Sequence, residues 1–313
     1  MKNFVCIACA LILCAQPYIA SDRDSLKILF WNVENFFDYT DSGAGESDAE
    51  FSSRGERRWT RRRFLAKCGV ISKMVFWEAS GGTLADIVAF AEVENARVLR
   101  LLLQETLLRK KGYAIIHYDS PDPRGIDVGL IYRRDAFSSV ESAAVPVPGI
   151  LTRDILLAQF VTAAGDSLAL MVNHHPSKYS GAESSLRRDA AIARLLTLAD
   201  SLALKGWTRQ LAIGDFNEDA GADLFAPMET SFENLGFGSK DGSIRFDGQW
   251  QLIDNAFVRR GAFSGAAFSV VQAPFLLVRD NVHSGQKPFR TYSGPRYIGG
   301  VSDHLPISVI LKY

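Results

Sequence analysis

Residues 210–217 read Gln-Leu-Ala-Ile-Gly-Asp-Phe-Asn. An apolar run ends in a glycine, a carboxylate, a ring and an amide. The run has the length and composition of a buried strand. Asp215 and Asn217 are one residue apart, so an extended backbone points both to one side while Phe216 turns into packing. A Gly-Asp pair also suits an ordinary turn at a strand end. The same outline recurs, however, in FWNVEN around Asn32, FAEVEN around Glu92, VNHHPS around His174, LIDNAF around Asp254 and VSDHLP around Asp303 and His304. Each carries an apolar run into one or two polar residues, and a strand ending this way presents them at the rim of a sheet.

The flanking sequence supplies the rest of the layout. Leu26–Asn32 reads as a strand, and Ala85–Val93 as a continuous apolar strand of the fully buried kind. Ala114–Tyr118, Asp127–Tyr132, Ile155–Val161, Leu168–Asn173, Leu252–Val258 and Leu305–Leu311 also read as extended. Helical spacing predicts a helix over Trp59–Trp77 with Phe64, Leu65, Cys68, Ile71 and Val75 inward. A second helix is expected over Ala96–Lys111, stopped by Gly112. A third, over Glu183–Leu204, shows an apolar face of Leu186, Ala190, Ala193, Leu196 and Leu202. Asp38–Gly55 and Phe275–Gly300 read as long polar loops. Hairpin-linked strands flanked by helices predict two mixed sheets packed face to face with helices outside.

The chain has 313 residues, is 47% hydrophobic and 22% charged, and has a formal net charge of zero. That is globular composition with ample length for a core. It argues neither for nor against a local anion-binding surface. Residues 1–20 differ in kind: Lys2, then an apolar run from Phe4 to Ala15 too short to span a bilayer comfortably. They read as an export signal, with periplasmic or extracellular delivery expected. Cleavage is expected after Ala20, although Tyr18 is bulky where a small residue is usual; lipidation at Cys9 or Cys14 is the second choice, because Leu13 before Cys14 is larger than that processing prefers. Cleavage leaves residues 21–313 as a single catalytic domain with one cysteine, Cys68, in the first helix and unable to form an internal disulfide.

The polar residues at the strand ends are hard oxygen donors and imidazoles, which suit a magnesium-type site that cleaves phosphate esters. Glu92 interrupts an apolar run, so it must be paired or bind a metal. Glu94, two residues on, is its rival on the same strand face. Asp303 and His304 are adjacent and cannot point the same way from a regular strand.

These segments, with RRWTRRRF, RGIDVGLIYRR, VNHHPSK, GQWQLIDN and RTYSGPRYIGGVSDHLP, resemble the endonuclease/exonuclease/phosphatase superfamily from Leu26 to the C-terminus. Within it the chain looks like the exported branch of gut and environmental Bacteroidetes. The resemblance implies a four-layer α/β/β/α sandwich. It implies one Mg²⁺ (Mn²⁺ or Ca²⁺ as substitutes) on Glu92, with Asp303 or Asn32 through water. It places Asp254 as the acceptor for His304, which would stabilise charge on the phosphoryl group. The base would be Asp215, oriented by Asn217, or a histidine of the His174/His304 pair. His174 is preferred over His175 from strand alternation and the spacing to Pro176; His117 and His283 match no catalytic segment.

The resemblance also implies a monomer acting on nucleic acid, with phosphatase or phosphodiesterase action on small or lipid-headgroup phosphates as the alternative. The arginine run Arg54, Arg57, Arg58, Arg61, Arg62, Arg63 fits phosphate-backbone attraction, but fits a solvated helix start slightly better. Arg124 and Arg153 serve substrate or structure. The tryptophans are dispersed and read as core.

Overall fold

The computed structural model describes residues 24–43, 45–79, 82–178 and 181–313. The export signal expected over residues 1–20, with Cys9 and Cys14, lies outside them.

Twelve strands form two six-stranded mixed sheets. They are β1 (Ser25–Phe36), β2 (Ile87–Val93), β3 (Tyr113–His117), β4 (Asp127–Arg133), β5 (Phe137–Val145), β6 (Ile155–Thr162), β7 (Ser167–His174), β8 (Gln210–Asp215), β9 (Phe232–Asn234), β10 (Asp254–Arg259), β11 (Gly265–Val270) and β12 (Ile307–Lys312). The helices are α1 (Arg61–Glu78), α2 (Ala96–Gln104) and α3 (Gly181–Leu204). The first sheet runs β11-β12-β1-β2-β4-β3 and the second β5-β6-β7-β8-β10-β9.

Each sheet is built around one parallel pair, β1/β2 and β7/β8, and its other pairings are antiparallel. A parallel pair needs a crossover, and α1 and α3 supply it. Position by position the two sheets have the same layout, although the sequence shows no internal repeat. The C-terminal ends of the four parallel strands therefore carry Asn32, Glu92, His174 and Asp215.

Packing explains the unbroken apolar runs. On β7, Leu168, Leu170 and Val172 enter the core between the sheets. Ala169 and Met171 face the other way, under Ile192, Leu195, Ala199 and Leu202 of α3. β8 alternates likewise, with Leu211 and Ile213 inward and Ala212 outward. Strands covered on both faces need apolar residues at every position. α1 and α2 cover the first sheet through Phe64, Cys68, Ile71, Val98, Leu99 and Leu102. The result is the α/β/β/α sandwich.

Several expectations shift. The apolar face of α3 is turned by about one residue, so Leu186 and Ala193 are exposed. α2 ends at Gln104, after which Leu107–Lys110 forms a 3-10 turn. Phe275–Gly300 is not one loop: Leu277–Arg279 pairs with Gln286–Pro288, and Tyr292–Ser293 with Arg296–Tyr297. Trp31 and Trp59 are core, whereas Trp77 and Trp250 are substantially exposed.

Candidate active site

At the end of β8, Asp215 is buried and lies opposite Asp254 of β10 in the ladder. Asp254 Oδ2 is 2.7 Å from His304 Nδ1. The loop before β12 carries His304, and Trp31 Nε1 donates to its carbonyl at 2.9 Å while its own N–H donates to Ser302 Oγ. His304 Nε2 then stands 3.9 Å from Asp215 Oδ2. Asn32 Nδ2 donates to the same oxygen at 3.0 Å and lies 3.5 Å from Glu92 Oε1. His174 Nε2 is 3.7 Å from Asp215 Oδ2. A line of contact thus runs Asp254–His304–Asp215–Asn32–Glu92, with His174 alongside.

The electrostatics follow from burial and neighbours. Burial opposes an imidazolium at His304, but Asp254, Asp215 and Asp303 outweigh it and raise its pKa well above the usual imidazole value. Burial, then the charge of Asp254, pushes the Asp215 carboxyl up to about 7. Burial and the guanidiniums of Arg153 and Arg124 hold His174 well below the usual imidazole value, so it is neutral. One imidazole is a proton holder and the other is not.

Two positions depart from simple alternation. Glu92 sits at an irregularity between β2 and β4 with φ of 62°. That left-handed conformation is costly for a side-chain-bearing residue and breaks the period of two. Glu92 and Glu94 consequently have different partners. Glu92 Oε2 accepts the Asn35 N–H at 2.7 Å, while Glu94 is buried and accepts the Asp38 N–H. Asn217 lies beyond the strand with φ of 51°, so it does not share a face with Asp215 as extended geometry would require. Its backbone N–H, at 2.9 Å, is what holds Asp215 Oδ1. Its amide donates instead to the His175 carbonyl. The His175 ring is buried against the Phe216 ring, while its backbone N–H donates to the Asp215 carbonyl at 2.8 Å.

Asp303 and His304 do diverge. Asp303, 42% exposed, is 3.1 Å from Arg290, which also grips the buried Glu34. Lys67 of α1, fully buried, donates to the Glu34 carbonyl and to Thr291 Oγ1. Glu34, Asn35, Lys67 and Arg290 all support the site, and none stood out in the sequence. A lysine one residue before Cys68, on the inward face of α1, was the available signal.

Glu92 is the carboxylate at the end of the line that could take a divalent ion, whereas Asp303 lies against Arg290. The donor set fits: Glu92 is only 13% exposed, its nearest cation is Arg124 at 3.7 Å, and the chemistry is all hard oxygen. Asn32 presents its nitrogen to both Glu92 and Asp215, and its Oδ1 accepts the Glu34 N–H, so it orients these carboxylates. Asp215, Asp254 and His304 also come within 4.8 Å of one another, but the short Asp254–His304 bond already occupies two of those donors.

A sequence profile described as the endonuclease/exonuclease/phosphatase family matches residues 27–313. The chain belongs to the endonuclease/exonuclease/phosphatase family. No curated protein matches it by sequence. Among solved structures of this family's fold, truncated Caenorhabditis elegans TDP2 is 14% identical with a TM-score of 0.58, covering 92% of this chain and 98% of its own. A Bacteroides thetaiotaomicron mannosyl-6-phosphatase is 17% identical with a TM-score of 0.58, covering 92% and 100%. Danio rerio TDP2 complexed with a single-stranded DNA product is 16% identical with a TM-score of 0.55, covering 92% and 99%. At such identities the likeness is one of fold. Phosphoester hydrolysis dependent on a divalent metal is the chemistry of the endonuclease/exonuclease/phosphatase family.

Proposed function

We propose that this protein hydrolyses phosphate esters at the Asp254–His304–Asp215–Asn32–Glu92 line, with Mg²⁺ as the working ion. The observation that carries the reading is the buried Asp254–His304 pair facing Asp215. Glu92 would hold the ion, which when bound polarises a phosphoryl oxygen and stabilises the leaving alkoxide. Asp215, with a pKa close to neutral, accepts the proton of the attacking water. Its two oxygens are aimed by Asn32 Nδ2 and the Asn217 N–H. His304 keeps its proton because of Asp254 and offers Nε2–H to a developing charge. Neutral His174 offers a further donor without adding charge.

The nuclease expectation loses part of one support. Half of the arginine cluster is engaged within the protein: Arg57 pairs with Glu50 and bonds the Gly294 carbonyl, Arg61 pairs with Glu105, and Arg63 bonds the carbonyls of Arg57 and Arg58, while Arg54, Arg58 and Arg62 are exposed. Nucleic acid phosphodiesters and small phosphate esters both stay within the proposal.

The test is purified protein with Mg²⁺, Mn²⁺ or Ca²⁺ on plasmid DNA, single-stranded DNA and small phosphate esters. Turnover that vanishes in His304→Ala and Asp215→Ala while the circular dichroism spectrum is unchanged is expected. Metal-dependent rates near wild type in either variant would overturn it. Export of the chain as a monomer to the periplasm or beyond belongs to the same proposal. It is tested by cell fractionation and light scattering; retention in the cytoplasm would refute the first part, and a stable dimer the second.

A further inference from the structure

We infer that His117, Asp119 and Asp127 form a second cation site, apart from the catalytic line, that takes a transition ion such as Zn²⁺.

His117 closes β3 and Asp127 opens β4, so the connection 118–126 leaves and returns through these two side chains. The His117 side chain is 3% exposed, and its Nε2 is buried with no hydrogen-bond partner among the described residues. A buried imidazole nitrogen in that state costs free energy unless something meets it. It faces Asp127 Oδ2 at 3.4 Å. That is long for an N–H···O bond, which prefers about 2.7–3.2 Å. Two ligands on a tetrahedral Zn²⁺, each about 2.0–2.1 Å from it, stand about 3.3–3.4 Å apart. The pair has the spacing of two ligands on one ion.

Both ligands are held in place. The Ser120 N–H donates to Asp127 Oδ1 at 3.0 Å and the Ser120 hydroxyl donates to the same oxygen, which leaves Oδ2 for the ion. Across the ladder His117 pairs with Gly129, where a Cβ would come 3.3 Å from the ring's Cδ2. The glycine therefore leaves room for the ring. Asp119 is the third ligand. Its carboxylate is 91% exposed and free to turn, with Oδ1 3.8 Å from His117 Nδ1. One donor atom from each of the three residues falls within 4.8 Å of the others. Asp154 adds to the negative field: burial, then the charge of Asp127, raises its carboxyl pKa. Among the described residues no lysine or arginine pairs with Asp119, Asp127 or Asp154, so a cation is what the cluster lacks.

Donor chemistry selects the ion. Imidazole suits Zn²⁺ and its neighbours, whereas Mg²⁺ prefers oxygen ligands in octahedral geometry. The two sites therefore sort ions, Mg²⁺ to the oxygen donors around Glu92 and Zn²⁺ to His117. The role of the second site is structural. Asp122, within the connection, accepts the Arg124 N–H at 3.0 Å and pairs with buried Arg153. That ion pair fixes the middle of the connection, and the bound ion ties its two ends together.

The test is isothermal titration calorimetry of chelator-treated protein with zinc chloride. Glu92→Gln provides the background, because it weakens the catalytic site and leaves this one intact. One equivalent of Zn²⁺ should bind to it. Adding His117→Ala or Asp119→Asn should weaken that binding by roughly tenfold or more, the loss seen even for the outer partners of a metal ligand. Asp119 is exposed, so Asp119→Asn in chelator should melt at the wild-type temperature, which separates loss of a ligand from loss of the fold. Co²⁺ supplies a second readout: the visible absorption of a four-coordinate ion should appear in Glu92→Gln and vanish when His117→Ala is added. Zn²⁺ affinity that neither substitution changes would overturn the inference, as would binding that needs His117 but not Asp119. Failure of Glu92→Gln to bind Zn²⁺ at all would overturn it too.

Discussion

Replacing Asp254 with asparagine isolates what the Asp–His pair contributes. Asp254 is fully buried, and its carboxylate meets His304 Nδ1 at 2.7 Å. A charge-assisted bond of this kind contributes about 1.5–3 kcal/mol, and 1.36 kcal/mol corresponds to one pKa unit. The sign follows from which protonation state is needed. Asp215 must be ionised to accept a proton, so the rate rises as pH climbs through about 7. His304 must stay protonated, so the rate falls above its raised pKa. In Asp254→Asn the alkaline limb should move down by roughly 1–2 units, and neutral-pH kcat/KM should fall by about 10–10²-fold. Stability should change little. Asp254 and Asp215 face each other across the ladder, so losing the pair with His304 is offset by relief between two buried carboxylates. The assay is a pH series of kcat/KM on the best substrate, with a thermal melt alongside. An alkaline limb that stays in place while the rate falls would refute His304 as the proton holder.

Other outcomes can be checked directly. Gly214→Ala should destabilise by about 3 kcal/mol or more, since its Cβ would come 2.2 Å from the Asn173 carbonyl and push β7 off β8; urea denaturation measures it. Divalent ion at about a hundred times its dissociation constant should stabilise wild type by about 2.7 kcal/mol. Glu92→Gln should lose most of that increment, and an unchanged metal-dependent melting shift would remove Glu92 from the metal site. Lys67→Met should cost on the order of 3 kcal/mol because it strips the buried Glu34 carbonyl and Thr291 hydroxyl of a charged donor; a denaturant midpoint equal to wild type would contradict this.

The parts of the structure legible from sequence are those governed by burial. β2, β7 and β8 are covered on both faces and read as continuous apolar runs, and Gln210–Asp215 matches the observed strand residue for residue. β5 and β11 were missed because they are edge strands with many small or polar exposed positions. The residues gathered at the site were readable as strand endings, because an isolated polar group closing an apolar run must be used for something. What sequence spacing could not supply is the aim of the side chains. Period-two reasoning paired Asp215 with Asn217 and Glu92 with Glu94, and the left-handed backbone at Glu92 and Asn217 cancels both. Arg124 and Arg153 are linked through Asp122, a contact that no spacing in the sequence displays.

The equivalent layout of the two sheets conceals an asymmetry in time. The second sheet is one uninterrupted stretch, Phe137–Arg259. The first is begun by β1–β4 and completed only when β11 and β12 return to it, with β12 pairing between β1 and β11. His304 immediately precedes β12 and is seated by Trp31 of β1, 273 residues earlier. During synthesis, then, almost the whole sandwich can be built while its proton holder is still inside the ribosome. The line of contacts is therefore incomplete until the closing strand docks, because only then does His304 meet Asp254 and Asp215.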